Sequence, residues 1–218
     1  MLGVHLDIVP YLERLKAEIG RVDPEEIRRL GDLVFEAYRD GRFVFLAGNG
    51  GSACTSSHLA EDLGKNCLRQ EDMVKEGCRR LKVMSLTDNV GWITALGNDL
   101  GYDQIFLQQL VHYASPGDVL IAISGSGNSP NILAAVDWAN RHGLKTFGLT
   151  GFGGGKLKQM QQDGVHVRLD DMGMVESVYS CIAHWVVDDL HARVQQSQES
   201  RVKSREPELD GLVLDSQP

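Results

Sequence analysis

Residues Phe43–Lys65 read FVFLAGNGGSACTSSHLAEDLGK: an apolar run, a glycine-rich turn and a segment edged with hydroxyls. A short apolar run closed by glycines predicts a buried strand, and the longer segment behind it predicts a helix. Strand, glycine turn and helix start together make an anion cradle, because the first backbone N–H groups of a helix have no partner within it. Gly48, Gly50 and Gly51 allow the sharp turn and a close approach of the ligand, and Ser52 is expected to cap the helix. Farther along, His58 and Asp62 stand at i and i+4 and share one face. One element thus carries an anion site and a pair suited to metal binding or proton transfer.

Four more apolar runs follow, Lys82–Leu86, Asp118–Ile123, Lys145–Leu149 and Val165–Leu169, most of them separated by helical segments. The alternation predicts an α/β fold, a doubly wound parallel sheet of five strands covered on both faces. Asn131–Arg141 and Val175–Arg193 carry the clearest later helical periods, and Gln70–Arg80 reads as a surface loop. Upstream, Asp23 caps a helix that opens with Pro24, and Leu2–Ile19 shows a second amphipathic pattern. Residues 1–40 are therefore expected to form N-terminal helices, 41–195 the ligand-binding domain and 196–218 a loose tail. Trp92 and Trp138 fall in helical stripes and are expected in the core.

A net charge of −8 excludes a nucleic-acid surface built on clustered Lys and Arg. Cys54, Cys67, Cys78 and Cys181 lack CxxC spacing, and there is no secretory signal or apolar span of ~20 residues. The expectation is a cytoplasmic protein with no membrane segment, its thiols free and buried as small hydrophobes.

A second loop follows the third apolar run, in DVLIAISGSGNSPNILAAV, residues 118–136. Ser124, Ser126 and Ser129 offer hydroxyls, Gly125 and Gly127 free the backbone, and Pro130 opens the next helix. Two such loops at the carboxyl ends of neighbouring parallel strands converge on one crevice. Neither loop matches GxxxxGK[ST] or GxGxxG, which argues against a nucleoside triphosphate or a dinucleotide.

Five segments, LAGNGGSACTSSHLAEDL, SLTDNVGWITALGNDLGYDQIF, IAISGSGNSPNILAAV, GLTGFGGGKL and VESVYSCIAHWVVDDL, resemble sugar isomerase (SIS) domains, most of all the phosphoheptose isomerases, over Phe43–Leu190. The resemblance implies a flavodoxin-like SIS fold, with the N-terminal helices packing on the domain and on neighbouring subunits. It implies a homotetramer with active sites between subunits and interconversion of sedoheptulose 7-phosphate with a heptose 7-phosphate. It implies that Asn49, Gly50, Gly51, Ser52, Ser124, Gly125, Ser126 and Ser129 hold the phosphate and nearby hydroxyls. Asn98 and Asp99 of the GND motif, together with Glu176, would line the sugar site. Zn2+ would be held by His58, Asp62, Glu176 and His184, with Asp62 and His184 the acid/base pair. The family usually carries Glu where this chain has Asp62, and Gln where it has Glu176. On one helix Glu176 and His184 would lie ~12 Å apart, so either they serve different subunits or Glu176 precedes the helix.

Other readings follow from the same resemblance. One is an isomerase of another phosphosugar. Another is a non-catalytic SIS protein that binds a phosphosugar or, like one relative of the phosphoheptose isomerases, a replication initiator. Both Asp62 and His184 are present, which favours the enzyme.

Overall fold

The computed structural model describes residues 7–203. Its centre is one all-parallel sheet: β1 (Phe43–Gly48), β2 (Lys82–Ser85), β3 (Val119–Ser124), β4 (Lys145–Thr150) and β5 (Asp163–His166), in spatial order β2-β1-β3-β4-β5. β3 is buried at every position and β1 at all but its first, as continuous apolar runs in a sheet covered on both faces require. Leu46 pairs with Ser85 on one side and Ile121 on the other, and Gly48 pairs with Ile123. Four strands begin and end within a residue of the expected bounds. β5 starts two residues before and ends three residues before the expected Val165–Leu169: Arg29 binds the Asp163 carboxylate at 2.7 and 3.1 Å, so a charged residue can open that edge strand.

Successive residues of a strand point to opposite faces, which divides the core in two. Val44, Leu46, Ile121 and Ile123 pack beneath α1 (Ile8–Ile19), α2 (Pro24–Asp40), α3 (Gly51–Asn66) and α9 (Met172–Lys203), meeting Leu30, Val34, Leu63, Val178 and Val186. Phe45, Ala47, Leu120 and Ala122 face the other way, toward α5 (Val90–Asp99), α6 (Leu107–Tyr113), α7 (Pro130–Arg141) and α8 (Leu157–Met160), meeting Phe106, Leu110, Ile132 and Val136. Each fully buried Val, Leu, Ile or Phe among them contributes about 1.5–3 kcal/mol, so the two layers jointly fix the order of the helices.

The N-terminal helices form as the sequence suggests. Asp23 accepts the Glu25 N–H at 2.9 Å, Pro24 occupies the first turn, and Gly41 ends α2 in the left-handed conformation at φ 67°. α1 is capped by Asp7; the earlier part of the Leu2–Ile19 stretch lies outside the described residues.

Several expectations need correction. α9 runs from Met172 to Lys203, well beyond Val175–Arg193, because no Gly or Pro follows Gly173 within it and Val194 still reaches the core. Residues 196–203 are therefore helical rather than tail, and 204–218 lie outside the described residues. Within Gln70–Arg80 a single helical turn, α4 (Gln70–Met73), forms. The four thiols are free, but only Cys67 is buried, since Cys54 and Cys181 fall on the solvent faces of α3 and α9. Trp92 and Trp138 are half-buried, edging His112 and stacking on His142 respectively. No helix among the described residues is long and apolar enough to cross a membrane.

Candidate functional site

β1 and β3 are neighbours, yet α3 leaves β1 toward one face of the sheet and α7 leaves β3 toward the other. This is the topological switch point of an open α/β sheet, and a crevice opens there beyond the strand ends. Its volume is about 250 Å3. Asn49, Gly51 and Ser52 line it from the first loop, and Ser124, Gly125, Ser126 and Ser129 from the second. Met172 and Glu176, one turn apart on α9, close it from the third side.

The loops take their shape from local chemistry. Gly50, at φ 55° and ψ −123°, is the residue that caps α3, a conformation closed to L side chains. Ser52 is not the cap; it is buried in the first turn and its N–H binds Asn49 O at 3.0 Å. In the second loop the Gly127 N–H donates to Ser124 Oγ at 3.1 Å and to Ser124 O at 3.0 Å. Ser129 stands at the cap of α7 without a side-chain capping bond; its hydroxyl lines the crevice, 3.5 Å from Ser124 Oγ. The loop after β4 supports the second loop from behind. Gly151 N–H donates to Gly125 O and Leu157 N–H to Gly127 O, each at 2.9 Å, and a Cβ on Gly127 would lie 2.0 Å from Gly154 O.

No Lys or Arg lines the crevice, so an anion there would be held by backbone N–H groups, hydroxyls and the positive end of α3. Its one charged residue is Glu176. An ideal Cβ on Gly51 would lie 2.2 Å from Glu176 Oε1, so Gly51 is glycine because a carboxylate occupies that space.

Two turns along α3 and α9 lies a second cluster. His58 Nε2 is 3.2 Å from Asp62 Oδ2, and His184 Nδ1 is 3.8 Å from the same oxygen. The imidazoles meet edge to face at 5.1 Å, and one donor atom from each of the three residues lies within 4.8 Å of the others. Asn66 Nδ2 donates to Asp62 Oδ1 at 2.9 Å and so turns Oδ2 toward the histidines. The Asp62 side chain is 14% exposed and those of His58 and His184 57% and 59%, which gives a seated carboxylate beneath two accessible rings. Two imidazoles and a carboxylate suit zinc or another first-row divalent ion and leave positions open to a ligand.

Glu176 does not join this cluster. α9 is already helical at Glu176, so eight residues of rise hold it ~12 Å from His184, and its carboxylate turns to Gly51 instead. Of the four residues expected to hold a metal, three come together in this chain. α3 and α9 run side by side in register: Gly51 meets Glu176, Asp62 meets His184, and Asn66 O lies 2.8 Å from His191 Nδ1.

Asn98 and Asp99 sit exposed at the end of α5, bonded to each other at 2.7 Å, and do not line the crevice of their own chain. Asn49 reaches the crevice, but its amide is engaged by Asn131 and by the Tyr102 hydroxyl. Sequence reasoning missed Asn131, Tyr102 and Met172 as parts of the site. Asn131 and Tyr102 both lie in the quoted motifs, but only the fold shows that they meet Asn49. Of the remaining described histidines, His166 is notable: burial, then the nearby charge of Lys158, pushes its pKa below the ordinary 6.5.

Comparison with known proteins agrees with this geometry. The SIS domain family model matches residues 10–151. A phosphoheptose isomerase of Chlorobaculum parvum is 38% identical over 153 residues, covering 70% of this chain and 71% of that protein. One from Chlorobaculum tepidum is 33% identical over 186 residues, 84% of this chain and 86% of the relative. The solved structure of the phosphoheptose isomerase of Neisseria gonorrhoeae superposes with a TM-score of 0.75 at 27% identity, over 84% of this chain and 96% of that one.

Proposed function

The chain belongs to the SIS domain family, and from that premise we propose that it is a phosphoheptose isomerase, interconverting sedoheptulose 7-phosphate and D-glycero-D-manno-heptose 7-phosphate. The observation that carries the reading is the pairing, along two adjacent helices, of a hydroxyl-lined anion crevice with the His58–Asp62–His184 cluster.

The reaction moves a proton between C1 and C2 through an enediol, so it needs a remote handle, a proton carrier and stabilisation of the developing oxyanion. The serine loops supply the handle by binding the phosphate, which fixes the reacting carbons at a set distance from it. His184, with Nδ1 toward Asp62, exchanges the proton at Nε2; Asp62 orients both rings and completes the acid/base pair. His58, Asp62 and His184 would together hold a divalent ion, zinc by their donor types and number. Such an ion, when bound, polarises the carbonyl as a Lewis acid. Glu176 contributes from the crevice side, against substrate hydroxyls.

On the same reading the protein works in the cytoplasm as a homotetramer whose subunits complete one another's sites. Two features support this. Ile8, Val9 and Leu12 of α1 are 63%, 64% and 53% exposed, an apolar face unused within the chain. Asn98 and Asp99 also stand away from their own crevice.

The test is turnover of sedoheptulose 7-phosphate by metal-replete protein, followed by NMR, with metal content and mass by light scattering measured on the same preparation. Asp62→Asn and His184→Gln should each lower turnover by about two to four orders of magnitude and reduce metal content, while phosphate binding changes little. A monomeric, metal-free protein that is inactive on C5 to C7 phosphosugars would overturn the reading.

A further inference from the structure

The loop after β4 braces the second loop from behind, but among the described residues no backbone hydrogen bond runs from one crevice loop to the other. Strands β1 and β3 are held ~4.8 Å apart by the sheet, but the loops beyond them lead to helices on opposite faces and share no ladder. Any direct tie across the opening must therefore come from side chains.

Among the described residues, the hydrogen bonds that cross from one loop to the other belong to a single amide pair. Asn49 Nδ2 donates to Asn131 Oδ1 at 2.9 Å, and Asn131 Nδ2 donates back to Asn49 Oδ1 at 2.8 Å. Asn131 is 1% exposed and stands in the first turn of α7, two residues after Ser129. Its Oδ1 also accepts the Ile132 N–H at 3.0 Å, which fixes its rotamer. Asn49 lies between Gly48 and Gly50, just ahead of α3. A third group arrives from elsewhere: the Tyr102 hydroxyl donates to Asn49 Oδ1 at 3.2 Å. Tyr102 begins a 3-10 turn three residues after Asp99, and it is 61% exposed.

A reciprocal amide pair of this kind satisfies both partners only at one separation and one orientation. Buried at one end and desolvated, it is costly to leave unmade, so it holds the loops in register against thermal opening. We propose that Asn131 is a positioning residue: paired with Asn49 and latched by Tyr102, it sets the width of the anion crevice and links it to the segment that carries Asn98 and Asp99. The proposal rests on the crevice being the phosphate site of the isomerase reading, and it adds residues that touch no substrate.

Calorimetric titration with inorganic phosphate and with sedoheptulose 7-phosphate tests it, beside steady-state kinetics and thermal melts. Asn131→Ala should raise the dissociation constant of both ligands about tenfold and raise KM more than it lowers kcat. Tyr102→Phe, at an exposed position that does not threaten folding, should raise both constants about threefold. The Asn49→Ala and Asn131→Ala double variant should bind no more weakly than the weaker single variant, since the two act as a unit. A lowered melting temperature with unchanged dissociation constants would reduce Asn131 to a structural residue and overturn the proposal, as would additive losses in the double variant. If Asn131→Ala does not fold, Asn131→Asp decides. It keeps the shape and the acceptor but sets a carboxylate oxygen against Asn49 Oδ1, and unchanged phosphate affinity in it refutes the proposal. Inorganic phosphate separates this idea from the isomerase reading. Weakened phosphate binding in a protein that turns over no heptose phosphate leaves the crevice argument standing and removes the activity, and a wild type that binds no phosphate removes the crevice argument itself.

Discussion

Replacing Gly51 with Ala tests where the Glu176 carboxylate lies. The new methyl carbon would stand 2.2 Å from Oε1, 2.7 Å from Cδ and 2.8 Å from Oε2 of Glu176. Non-bonded carbon contacts relax only near ~3.5 Å, so the carboxylate must retreat by more than ~1 Å. Two effects then oppose each other. Alanine favours the helix over glycine by up to about 1 kcal/mol, and the backbone at Gly51 is free to accept it. Displacing Glu176 from its rotamer costs about 0.5–1.5 kcal/mol. Gly51→Ala alone should therefore change stability by no more than ~1 kcal/mol in either direction. Combined with Glu176→Ala, the same substitution keeps the helical gain without the collision, which predicts a coupling of about 0.5–1.5 kcal/mol between the two sites. Urea unfolding of the four proteins at one protein concentration measures it. Additivity within ~0.3 kcal/mol would show that the carboxylate does not fill that space. The same proteins test the proposed metal site: Glu176→Ala should retain the wild-type metal content, and loss of the ion there would return Glu176 to the proposed ligands.

Two further outcomes follow from one buried and one half-buried group. The Tyr179 hydroxyl is fully buried without a hydrogen-bond partner among the described residues, and burial drives its pKa well above the ordinary value of 10.0. Tyr179→Phe should therefore leave stability unchanged or raise it by up to ~1 kcal/mol, about 2–4 °C in Tm for a chain of this size; a clear loss by calorimetry would mean that the hydroxyl is bonded. His166 has its folded pKa depressed below 6.5, so folding favours its neutral form. Its contribution is present above that value and is lost as pH falls below it, where the unfolded chain takes up the proton first. His166→Gln should flatten the stability curve below about pH 6.5, and an unchanged acid limb in pH-dependent melts would refute the assignment.

The fold was legible because its evidence is local and repeated. Five apolar runs, glycines at or just past the carboxyl ends of three of them and intervening helical periods admit few arrangements other than a parallel sheet covered on both faces, and the cap at Asp23 followed from side-chain chemistry alone. His58 and Asp62 were legible as a pair for the same reason, since helical spacing places i and i+4 together wherever the helix lies. The addition of His184 to that pair was implied by family resemblance and given its geometry by the fold. Other features were closed to the sequence because they depend on separations of dozens of residues along the chain. That α3 and α9 run in register, so that Glu176 meets Gly51 and leaves His184 to Asp62, is a result of two helices packing over one sheet. That Asn49 and Asn131 form a pair follows from β1 and β3 becoming neighbours while their helices diverge. Periodicity and capping act within a few residues and write themselves into the chain; distances across a crevice arise only once the strand order and helix packing have been chosen.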